Sequence, residues 1–465
     1  MFFFYFIILL FLLYPHISVD FLFVFLCGNA CNCCELFFFS FAASQYPCKG
    51  RTKIKEKMVG LVKLDCGVQH YDWGKVPAES FVAKMKHETD GTRKYAELWV
   101  GTHMNCPSRL LSGQLLGEYL RDPGIANSFF SPEHQSNVEL RNNVPFLLKV
   151  LSVQTALSIQ AHPNKKLAEK LHRENPSKYK DNNHKPELIV ALTPFEALCC
   201  FRPLQEILSL VESTKPLKTL LGNIAVVSAN ESDGDLIEGM MRVLYSLNPE
   251  VHTKALREHA AAVSAKGEAA STEDRLFLRL MSQYPDDIGC WMLYFLNYVQ
   301  MEPGQGLFLS DSEPHAYLYG DGVEIMANSD NVVRAGLTPK WKDVPTLLEM
   351  LHYNTNGLER AKYERYRAAE GEAWEVQRYS PPRTFTEFSL YRLEHVAQKA
   401  SETCVNLPNI GLGFCLGGEG VVNGTHVAEG DCFAVPHGPL KCESNGRCVL
   451  FVASTNDGLP EQAHI

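Results

Sequence analysis

The sequence predicts a mainly β protein with an α-helical insertion. Short apolar segments separated by turn residues fill the chain before residue 204 and again after residue 300. Between them, residues 204–298 place apolar side chains at helical intervals. The helical segment therefore interrupts the first β-domain. Strand lengths and spacings near the C-terminus favour a jelly roll there.

The composition is that of a soluble globular protein, with 46% apolar and 21% charged residues in 465 positions. A chain of this length has room for about two or three domains. The net charge of −9 and the lack of a long Lys/Arg run argue against nucleic-acid binding. The 15 cysteines are scattered without regular spacing, which indicates reduced thiols in a cytoplasmic enzyme rather than a disulfide framework.

The N-terminal extension, residues 1–57, differs from the rest of the chain. Residues 1–13 and 21–27 are apolar runs, and no Lys or Arg precedes Lys49. A secretory signal normally opens with positive charge, and a membrane span needs about 20 continuous apolar residues. Neither requirement is met. Two interpretations stay open, namely an anchor or atypical targeting segment and translated upstream sequence, and we favour Met58 as the functional start.

Two strands and a helix are predicted in the first β-domain. The segment Val144–Leu151 has the pattern of a buried strand. Lys149 lies inside that segment, which is costly unless its side chain faces a cleft. A second strand is predicted over Ala156–His162, and helical spacing follows over Asn164–Glu174.

The middle and the end of the chain have contrasting patterns. Residues 204–298 predict about four to six helices, with a loop or frayed helix end over Ala260–Ala270. Further on, Asp321–Gly322 predicts a hairpin turn and Thr346–Met350 a short helix. From residue 385 we expect a β-barrel or sandwich with these strands: Phe388–Arg392, Gly411–Leu416, Gly420–Val422, Cys432–Val435 and Cys448–Ala453.

The first chemical motif combines an amide and an imidazole. Gln160 and His162 are two residues apart on a predicted strand, so their side chains point to the same face. Glu187 follows 187 − 162 = 25 residues later, close enough for a hairpin-length return. An amide oxygen, an imidazole and a carboxylate could together form part of a metal site. Taken singly, Gln160 and His162 are better explained as a polar pair at a strand end, and Glu187 as part of a surface loop.

The second motif is a histidine followed by two cations. His315 comes after a Pro–Gly turn and a short strand, as in the second half of a metal-binding jelly roll. Arg334 and Lys340 lie downstream, where they could meet a phosphate or a developing oxyanion. A turn histidine and a solvated basic face are the simpler interpretations of each part alone.

Taken in order, these motifs give the chain its family resemblance. From Leu61 onward the sequence resembles the type I phosphomannose isomerases. Among the matching segments, Asn183–Glu187 and Glu324–Thr338 are the most specific. The other matching segments are Tyr71–Lys75, Ala96–His103 and Leu157–Pro163.

The resemblance implies two cupin-type jelly-roll β-domains and an inserted helical domain. We expect the extension 1–57 to lie outside the fold. The expected limits are 58–203 with 299–350 for the catalytic cupin domain, 204–298 for the helical domain and 351–465 for a C-terminal cupin-like β-domain.

The resemblance also implies a set of site residues. One Zn²⁺ per chain would be held without thiolate ligands, as in catalytic sites that keep an open position. The family's active-site arginine falls on Arg334. The implied metal ligands are Gln160, His162, Glu187 and His315, and the implied substrate-binding residues are Trp73, Lys149, Ser158, Lys185, Tyr317 and Lys340. A place in the core fits Trp73 nearly as well.

The implied activity is a zinc-dependent aldose–ketose isomerisation. D-mannose 6-phosphate and D-fructose 6-phosphate would interconvert by proton transfer through an enediol, feeding GDP-mannose synthesis. We expect a cytoplasmic monomer whose partner is a sugar phosphate, without nucleic acid and without a membrane unless the extension is real. The sequence leaves the proton-transfer base open among Glu313, His103, Lys185 and Asp330.

Two departures and two alternatives accompany this interpretation. Cys200 stands where we expect Gly, which puts the local turn in doubt. The C-terminal segment Gly430–His437 repeats a cupin pattern, but its partner Gly411–Gly420 lacks a His-x-His, so we expect no second metal. An iron cupin that uses oxygen and a non-enzymatic sugar-binding or storage cupin remain as other classes. The Gln ligand and the basic residues favour the isomerase.

Overall fold

The computed structural model describes residues 60–135, 137, 143–222, 232–363 and 373–457. The expectations for the N-terminal extension and for a start at Met58 lie outside these residues. Within them, most regular structure is β-sheet with helices added, as predicted. The search of the described helices for a membrane-spanning length of apolar residues finds no candidate.

All strand pairings in the described residues are antiparallel and fall in two large sheets. In chain order the strands are β1 (Val62–Asp65), β2 (Val68–Gln69), β3 (Glu97–Val100), β4 (Arg109–Leu110), β5 (Phe146–Val153), β6 (Ile159–Ala161), β7 (Glu187–Ala191), β8 (Phe195–Phe201), β9 (Leu296–Met301), β10 (Gly306–Leu309), β11 (His315–Ala327), β12 (Val333–Gly336), β13 (Lys362–Tyr363), β14 (Trp374–Tyr379), β15 (Ser389–His395), β16 (Ser401–Leu407), β17 (Gly411–Val422), β18 (Thr425–Ala428), β19 (Cys432–Val435), β20 (Gly438–Ser444) and β21 (Cys448–Ser454).

The first sheet has the order β14-β15-β21-β17-β19-β1-β4, with β16, β18 and β20 attached at its side. Most of its strands come from the C-terminal part of the chain, but β1 comes from the N-terminal part. β1 pairs with β19, placing Val62 opposite Ala434. The two parts are therefore tied together by backbone hydrogen bonds, and the domain limits given above stay a prediction.

The second sheet has the order β13-β10-β7-β11-β5-β3-β2. Its longest strand, β11, pairs with β5 and β7 along one part and with β6 and β8 near its start. β6 pairs in turn with β12, and β8 with β9. Because β11 contacts four strands, its first residues lie beside several segments that are distant in sequence.

An apolar core joins the two sheets. It combines Leu98 and Phe146 of the second sheet with Leu412 and Phe451 of the first, all with no exposed surface. Burial of each such side chain stabilises the fold by about 1.5–3 kcal/mol. All eight residues of β5 are buried, which confirms the predicted strand around Lys149.

The helical segment packs on the second sheet through a separate core. Six α-helices lie between residues 204 and 292 of the described part, in agreement with the prediction. Leu236 and Leu256 from this segment share a cluster with Ala316 and Leu318 of β11. The α-helices of the described residues are Phe81–Met85, Leu116–Leu120, Pro123–Phe129, Lys165–Glu174, Leu204–Ser213, Lys215–Leu221, Asp233–Ser246, Pro249–Ser264, Thr272–Gln283, Gly289–Met292, Val344–Met350 and Gly357–Ala361, and two short 3-10 helices cover Pro77–Glu79 and Gly267–Ala269.

Helix boundaries follow local signals where these exist. Asn164 caps Lys165–Glu174 by accepting from the backbone N–H of Leu167, so the predicted helix is confirmed. Of the two alternatives given for Ala260–Ala270, the helix end is confirmed, because the helix Pro249–Ser264 continues through the alanines, the best helix formers, and ends inside this stretch.

The predicted hairpin at Asp321–Gly322 is wrong, because both residues lie in the middle of β11. Gly322 is needed for close packing instead of a turn: a Cβ there would lie 2.7 Å from the Ile189 side chain. Asp321 is buried in an ion pair with Lys75 and also accepts from the backbone N–H of Phe81. The polar and small residues therefore mark a tight internal contact.

Three smaller predictions differ in their limits. The strand expected over Ala156–His162 covers only Ile159–Ala161. The strands expected over Gly411–Leu416 and Gly420–Val422 are one continuous strand with a register shift between Cys415 and Gly417. The helical segment ends earlier than Tyr298, because β9 begins at Leu296.

Candidate active site

The centre of the candidate site is a buried group of two histidines and a glutamate. Nε2 of His315 lies 3.1 Å from Oε2 of Glu187, and Nε2 of His162 lies 3.4 Å from Oε1 of the same carboxylate. One ligand atom from each residue lies within 4.8 Å of the others. None of the three is more than 1% exposed. Two imidazoles thus approach the two oxygens of one carboxylate, as the ligands of a metal ion would.

Each histidine is oriented by a bond from its other ring nitrogen. Nδ1 of His162 lies 2.7 Å from the carbonyl oxygen of Asn331, and Nδ1 of His315 lies 2.9 Å from that of Glu313. A carbonyl only accepts, so Nδ1 carries the proton and Nε2 is left with its lone pair. This is the usual outer arrangement of a metal-binding histidine.

The donor set fits a divalent metal ion. Nε2 of His162 is buried and has no hydrogen-bond partner among the described residues. A buried nitrogen without a partner is costly, and a metal bond would satisfy it. Imidazole nitrogens and a carboxylate oxygen, without a thiolate, are typical of catalytic zinc sites.

The strand register places two more predicted residues beside this group. Gln160 on β6 lies directly opposite His315 on β11 and directly opposite Arg334 on β12. Directly opposed residues of antiparallel strands point to the same face. The structure therefore brings Gln160, His315 and Arg334 together on one face of three neighbouring strands.

A lysine neutralises the carboxylate of the group. Nζ of Lys185 lies 2.7 Å from Oε1 of Glu187. Burial alone would raise the pKa of Glu187, but Lys185 and His162 outweigh it and hold that pKa well below its usual range. Burial lowers the pKa of His162 to about 4, so its imidazole is neutral at pH 7. Both groups are therefore in the protonation states that bind a cation.

Lys149 belongs to a second buried charge cluster. Its Nζ lies 3.1 Å from Glu324 and 3.7 Å from Glu97, and 5.0 Å from the ring centre of Trp99. Burial alone would lower the pKa of Lys149, but the two carboxylates outweigh it and raise that pKa. The cost of burying Lys149 is thus offset by two partners that the sequence analysis did not identify.

Tyr317 is buried near a carboxylate of each charge cluster, Glu324 and Glu187. Burial, followed by the charges of Glu324 and Glu187, raises its pKa well above the usual value. The hydroxyl is therefore protonated at neutral pH, and both carboxylates are near enough to raise its pKa.

Arg334 differs from the other cations of the site. Burial lowers its pKa, and no carboxylate contributes. Among the described residues we find no ion pair for its guanidinium, which is half-buried on β12. A half-buried guanidinium without a protein partner is a suitable binding group for an anion.

Two further predicted substrate-binding residues lie near the site, and one lies apart. The Ser158 hydroxyl is 3.5 Å from Oε1 of Gln160. Trp73 is half-buried, stacks on Tyr71 at 5.7 Å and packs against the apolar cluster that contains Tyr317. Lys340 is exposed in the turn after β12, and no described contact joins it to the metal group.

The candidate bases now differ in their surroundings. Nε2 of His103 lies 3.3 Å from Oδ1 of Asp330, and this bond lowers the pKa of Asp330. Lys185 also lowers that pKa, so Asp330 lies near the metal group. Glu313 instead accepts from Asn354. Of the four candidates, His103 and Asp330 thus form a pair, and Lys185 is engaged with Glu187.

The motif that contains Glu187 makes a contact that its sequence does not predict. Nε2 of His184 makes a short contact with the Glu387 carboxylate, and the His184 ring stacks on Phe385 at 5.9 Å. Glu387 and Phe385 precede β15 of the other sheet. No local sequence pattern predicts the contact between His184 and Glu387, because it depends on how the two sheets pack against each other.

The doubt over Cys200 has a structural basis. Its φ is +55°, in the left-handed region that favours glycine. The register between β8 and β9 shifts between Cys199 and Phe201, so Cys200 is the bulged residue. The expectation of Gly is therefore consistent with the backbone, because Cys200 adopts a left-handed conformation that glycine adopts more easily.

The fold and the site together define a class: a β-sheet protein with a buried His/Glu/His group that could hold a metal ion. Beside this group lies Arg334, for which no ion pair is found among the described residues. Residues 61–204 match the family model "Phosphomannose isomerase type I, catalytic domain". The chain belongs to the type I phosphomannose isomerase family and is an isomerase.

Relatives and solved structures support this membership. The chain is 39% identical to mannose-6-phosphate isomerase 1 of Arabidopsis thaliana over 394 residues, 80% of this chain and 87% of the relative. It is 39% identical to the human mannose-6-phosphate isomerase over 348 residues, covering 71% and 81%. The apo form of the Salmonella typhimurium mannose 6-phosphate isomerase is similar with a TM-score of 0.72 and 26% identity, covering 86% of this chain and 100% of that one. A mannose 6-phosphate isomerase bound with zinc and yttrium is similar with a TM-score of 0.71 and 26% identity, covering 85% and 100%.

Proposed function

We propose that the protein is a zinc-dependent aldose–ketose isomerase that interconverts D-mannose 6-phosphate and D-fructose 6-phosphate and so feeds GDP-mannose synthesis. The names of its relatives support the substrate pair. The buried group of His162, Glu187 and His315 supports a metal, and the solved neighbour that is bound with zinc supports this particular ion. Gln160 is proposed as the fourth ligand.

The observation that carries the proposal is the position of Arg334 relative to the metal group. Arg334 and His315 both lie directly opposite Gln160, on either side of β6. A divalent ion and a free guanidinium would therefore act on the same face of the sheet. This combination suits a substrate that has both oxygens to ligate a metal and a negative charge, as a sugar phosphate does.

The chemistry requires moving one proton between adjacent carbons. When bound, zinc supplies a Lewis acid beside the sugar oxygens. We assign proton transfer to the His103–Asp330 pair, because the Asp330 carboxylate lies 3.3 Å from Nε2 of His103 and orients the ring, and imidazole is the side chain used most often in general acid–base catalysis. Arg334 stabilises developing negative charge, and Lys149, Lys185 and Tyr317 position the substrate.

The same proposal includes the architecture and the setting of the enzyme. The two sheets are interpreted as two cupin-type jelly-roll domains. The helical segment is proposed to be inserted in the catalytic domain, which contains the second sheet, at the limits given above except that the segment ends before β9 begins at Leu296. Trp73, Ser158 and Lys340 complete the proposed substrate contacts. The enzyme is proposed to act as a monomer in the cytoplasm.

A coupled assay with the purified full-length chain tests the function. Mannose 6-phosphate is supplied, and formation of fructose 6-phosphate is followed before chelation, after chelation and after zinc is returned. We expect activity that chelator abolishes and zinc restores. Absence of product from a protein that has one zinc per chain would reject the proposal, and iron with oxygen uptake would favour the other cupin class.

A further inference from the structure

Asp181 lies in the turn before β7 and contacts the segment that follows β11. Neither the metal group nor the proposed substrate contacts include it. We propose that Asp181 is a positioning residue, which fixes the imidazole of His162 and the carboxylate of Asp330 for the isomerisation. The part that concerns Asp330 rests on the proposed function, and the part that concerns His162 concerns metal binding alone.

The Asp181 carboxylate accepts four hydrogen bonds. Oδ1 accepts from the backbone N–H of Asn183 at 2.9 Å, the hydroxyl of Ser329 at 2.8 Å and the side-chain amide of Asn331 at 3.1 Å. Oδ2 accepts from the backbone N–H of Asp330 at 2.8 Å. One side chain thus joins the turn before Glu187 to three consecutive residues after β11.

Asn331 joins Asp181 to the metal group, because it forms hydrogen bonds with both Asp181 and His162. Its side-chain amide also donates to the carbonyl oxygens of Asp181 at 2.7 Å and of Asn183 at 2.9 Å. Its own carbonyl oxygen accepts from Nδ1 of His162. The position of that carbonyl sets the ring orientation of His162, and therefore the direction of Nε2.

Asp330 is held from two sides. Its backbone N–H is fixed by Asp181, while its carboxylate contacts His103 at 3.3 Å and Asn105 at 3.0 Å. Without Asp181, the backbone on which this carboxylate stands loses its main anchor, and the bond to His103 loses its fixed geometry.

A carboxylate is required here because all four partners are donors. An amide at the same place has only one accepting oxygen. In Asp181→Asn, the new NH₂ group faces either the N–H of Asp330 or the donors of Ser329 and Asn331. In either orientation the new NH₂ group faces another hydrogen-bond donor and cannot accept from it. This nearly isosteric change therefore breaks hydrogen bonds of residue 181 while it preserves the shape of the side chain.

The experiment compares three variants of the full-length chain with the unmodified protein. Asp181→Asn removes the carboxylate. Ser329→Ala keeps the carboxylate and removes a hydroxyl that donates to it and that also accepts from the backbone N–H of Asn331. Asp90→Asn is the matched control, because Asp90 accepts from the backbone and hydroxyl of Thr92 within its own exposed turn. Zinc affinity is measured by competition with a chromogenic chelator, together with kcat, KM and the melting temperature of the metal-free protein.

We expect Asp181→Asn to weaken zinc binding by about 10-fold, the lower end of the effect of replacing a direct outer partner of a metal ligand, because Asp181 acts on His162 through Asn331. A fall in kcat with little change in KM should accompany it. Ser329→Ala should show a smaller effect in the same direction, and Asp90→Asn none. A zinc affinity within twofold of the unmodified protein in both Asp181→Asn and Ser329→Ala would overturn the inference.

Zinc affinity also separates this inference from the proposed function. If the unmodified protein binds zinc but does not isomerise mannose 6-phosphate, the proposed function fails, while weaker zinc binding in Asp181→Asn still supports the role toward His162. If the unmodified protein is active and only the melting temperature changes in Asp181→Asn, the residue is merely structural and the inference fails.

Discussion

The ammonium group of Lys185 lies 2.7 Å from an oxygen of Glu187, the carboxylate that both histidines of the candidate metal centre approach. A positive charge thus contacts a carboxylate that could bind a metal ion. Such a charge lowers the pKa of Glu187 and keeps it ionised, but it also repels a metal ion at the same oxygens. The two residues should therefore affect metal affinity in opposite directions.

Replacement of these two residues tests the metal centre. Glu187→Gln removes a ligand charge, so we expect zinc affinity to fall by more than about 10-fold. Lys185→Met removes the repulsion, so affinity should stay equal or increase while isomerase activity falls. Chelator competition measures both affinities. Parallel losses of zinc in the two variants would contradict this assignment of charges.

Arg334 is expected to act on the transition state. Since its guanidinium has no protein partner in the described part of the chain, Arg334→Ala should fold normally and lose kcat by about 100-fold. Arg334→Lys should recover only part of it, because an ammonium lacks the planar fork. Arg257→Ala, which breaks an exposed ion pair with Asp286, serves as the control in steady-state assays. An unchanged kcat with a raised KM would exclude a transition-state role.

The buried pair of Lys75 and Asp321 should dominate local stability. Both side chains are at most 5% exposed. Asp321→Asn leaves Lys75 buried without its counter-charge, so we expect a loss of about 3–5 kcal/mol in the free energy of unfolding. The double change Lys75→Met with Asp321→Leu should lose less than either single change.

Urea unfolding provides the measurement for these variants. Glu258→Gln is the control, since its pair with Lys254 is exposed and should contribute less than about 1 kcal/mol. Equal losses in Asp321→Asn and Glu258→Gln would show that the buried pair has no special weight.

His259 makes stability depend on pH. Burial lowers its pKa to about 4, and Nε2 lies 2.5 Å from the Tyr294 hydroxyl in an aromatic cluster; Asp274 and Lys266 also face it. Between pH 6.5 and 4 the unfolded chain binds a proton that the folded chain does not, so stability decreases as the pH falls through this range.

Denaturation at several pH values checks this assignment. The slope of stability against pH between 6.5 and 4 should be smaller in His259→Phe than in the unmodified protein. His426→Gln, at an exposed position, should leave the slope unchanged. The assignment would be wrong if His259→Phe retained the full slope.

Local features of the fold could be predicted from the sequence. The helix Lys165–Glu174 was predictable because its cap and its apolar spacing are local. Strand β5 was predictable because its sequence is a nearly continuous apolar run, and all eight of its residues are buried in the structure. The place of Asp321–Gly322 inside a strand could not be predicted, because it depends on residues distant in sequence. Gly322 packs against Ile189, and Asp321 forms an ion pair with Lys75. The same residue types serve turns and tight internal contacts.

The site divides in the same way. The resemblance supplied the metal group, and His162, Glu187 and His315 do converge. The partners of these residues depend on strand register and sheet packing, which spacing does not reveal. The partners missed in this way include Glu97 and Glu324 beside Lys149, Asp181 beside Asn331, and Glu387 beside His184.

X-ray absorption at the zinc edge tests the central claim most directly. The group of the described residues that could hold the ion contains no cysteine, although Cys199 lies opposite His315 on β8. The account predicts one zinc per chain with only nitrogen and oxygen neighbours at about 2.0–2.2 Å, including two imidazoles. A sulfur neighbour at about 2.3 Å, or a spectrum unchanged in Glu187→Gln, would contradict it.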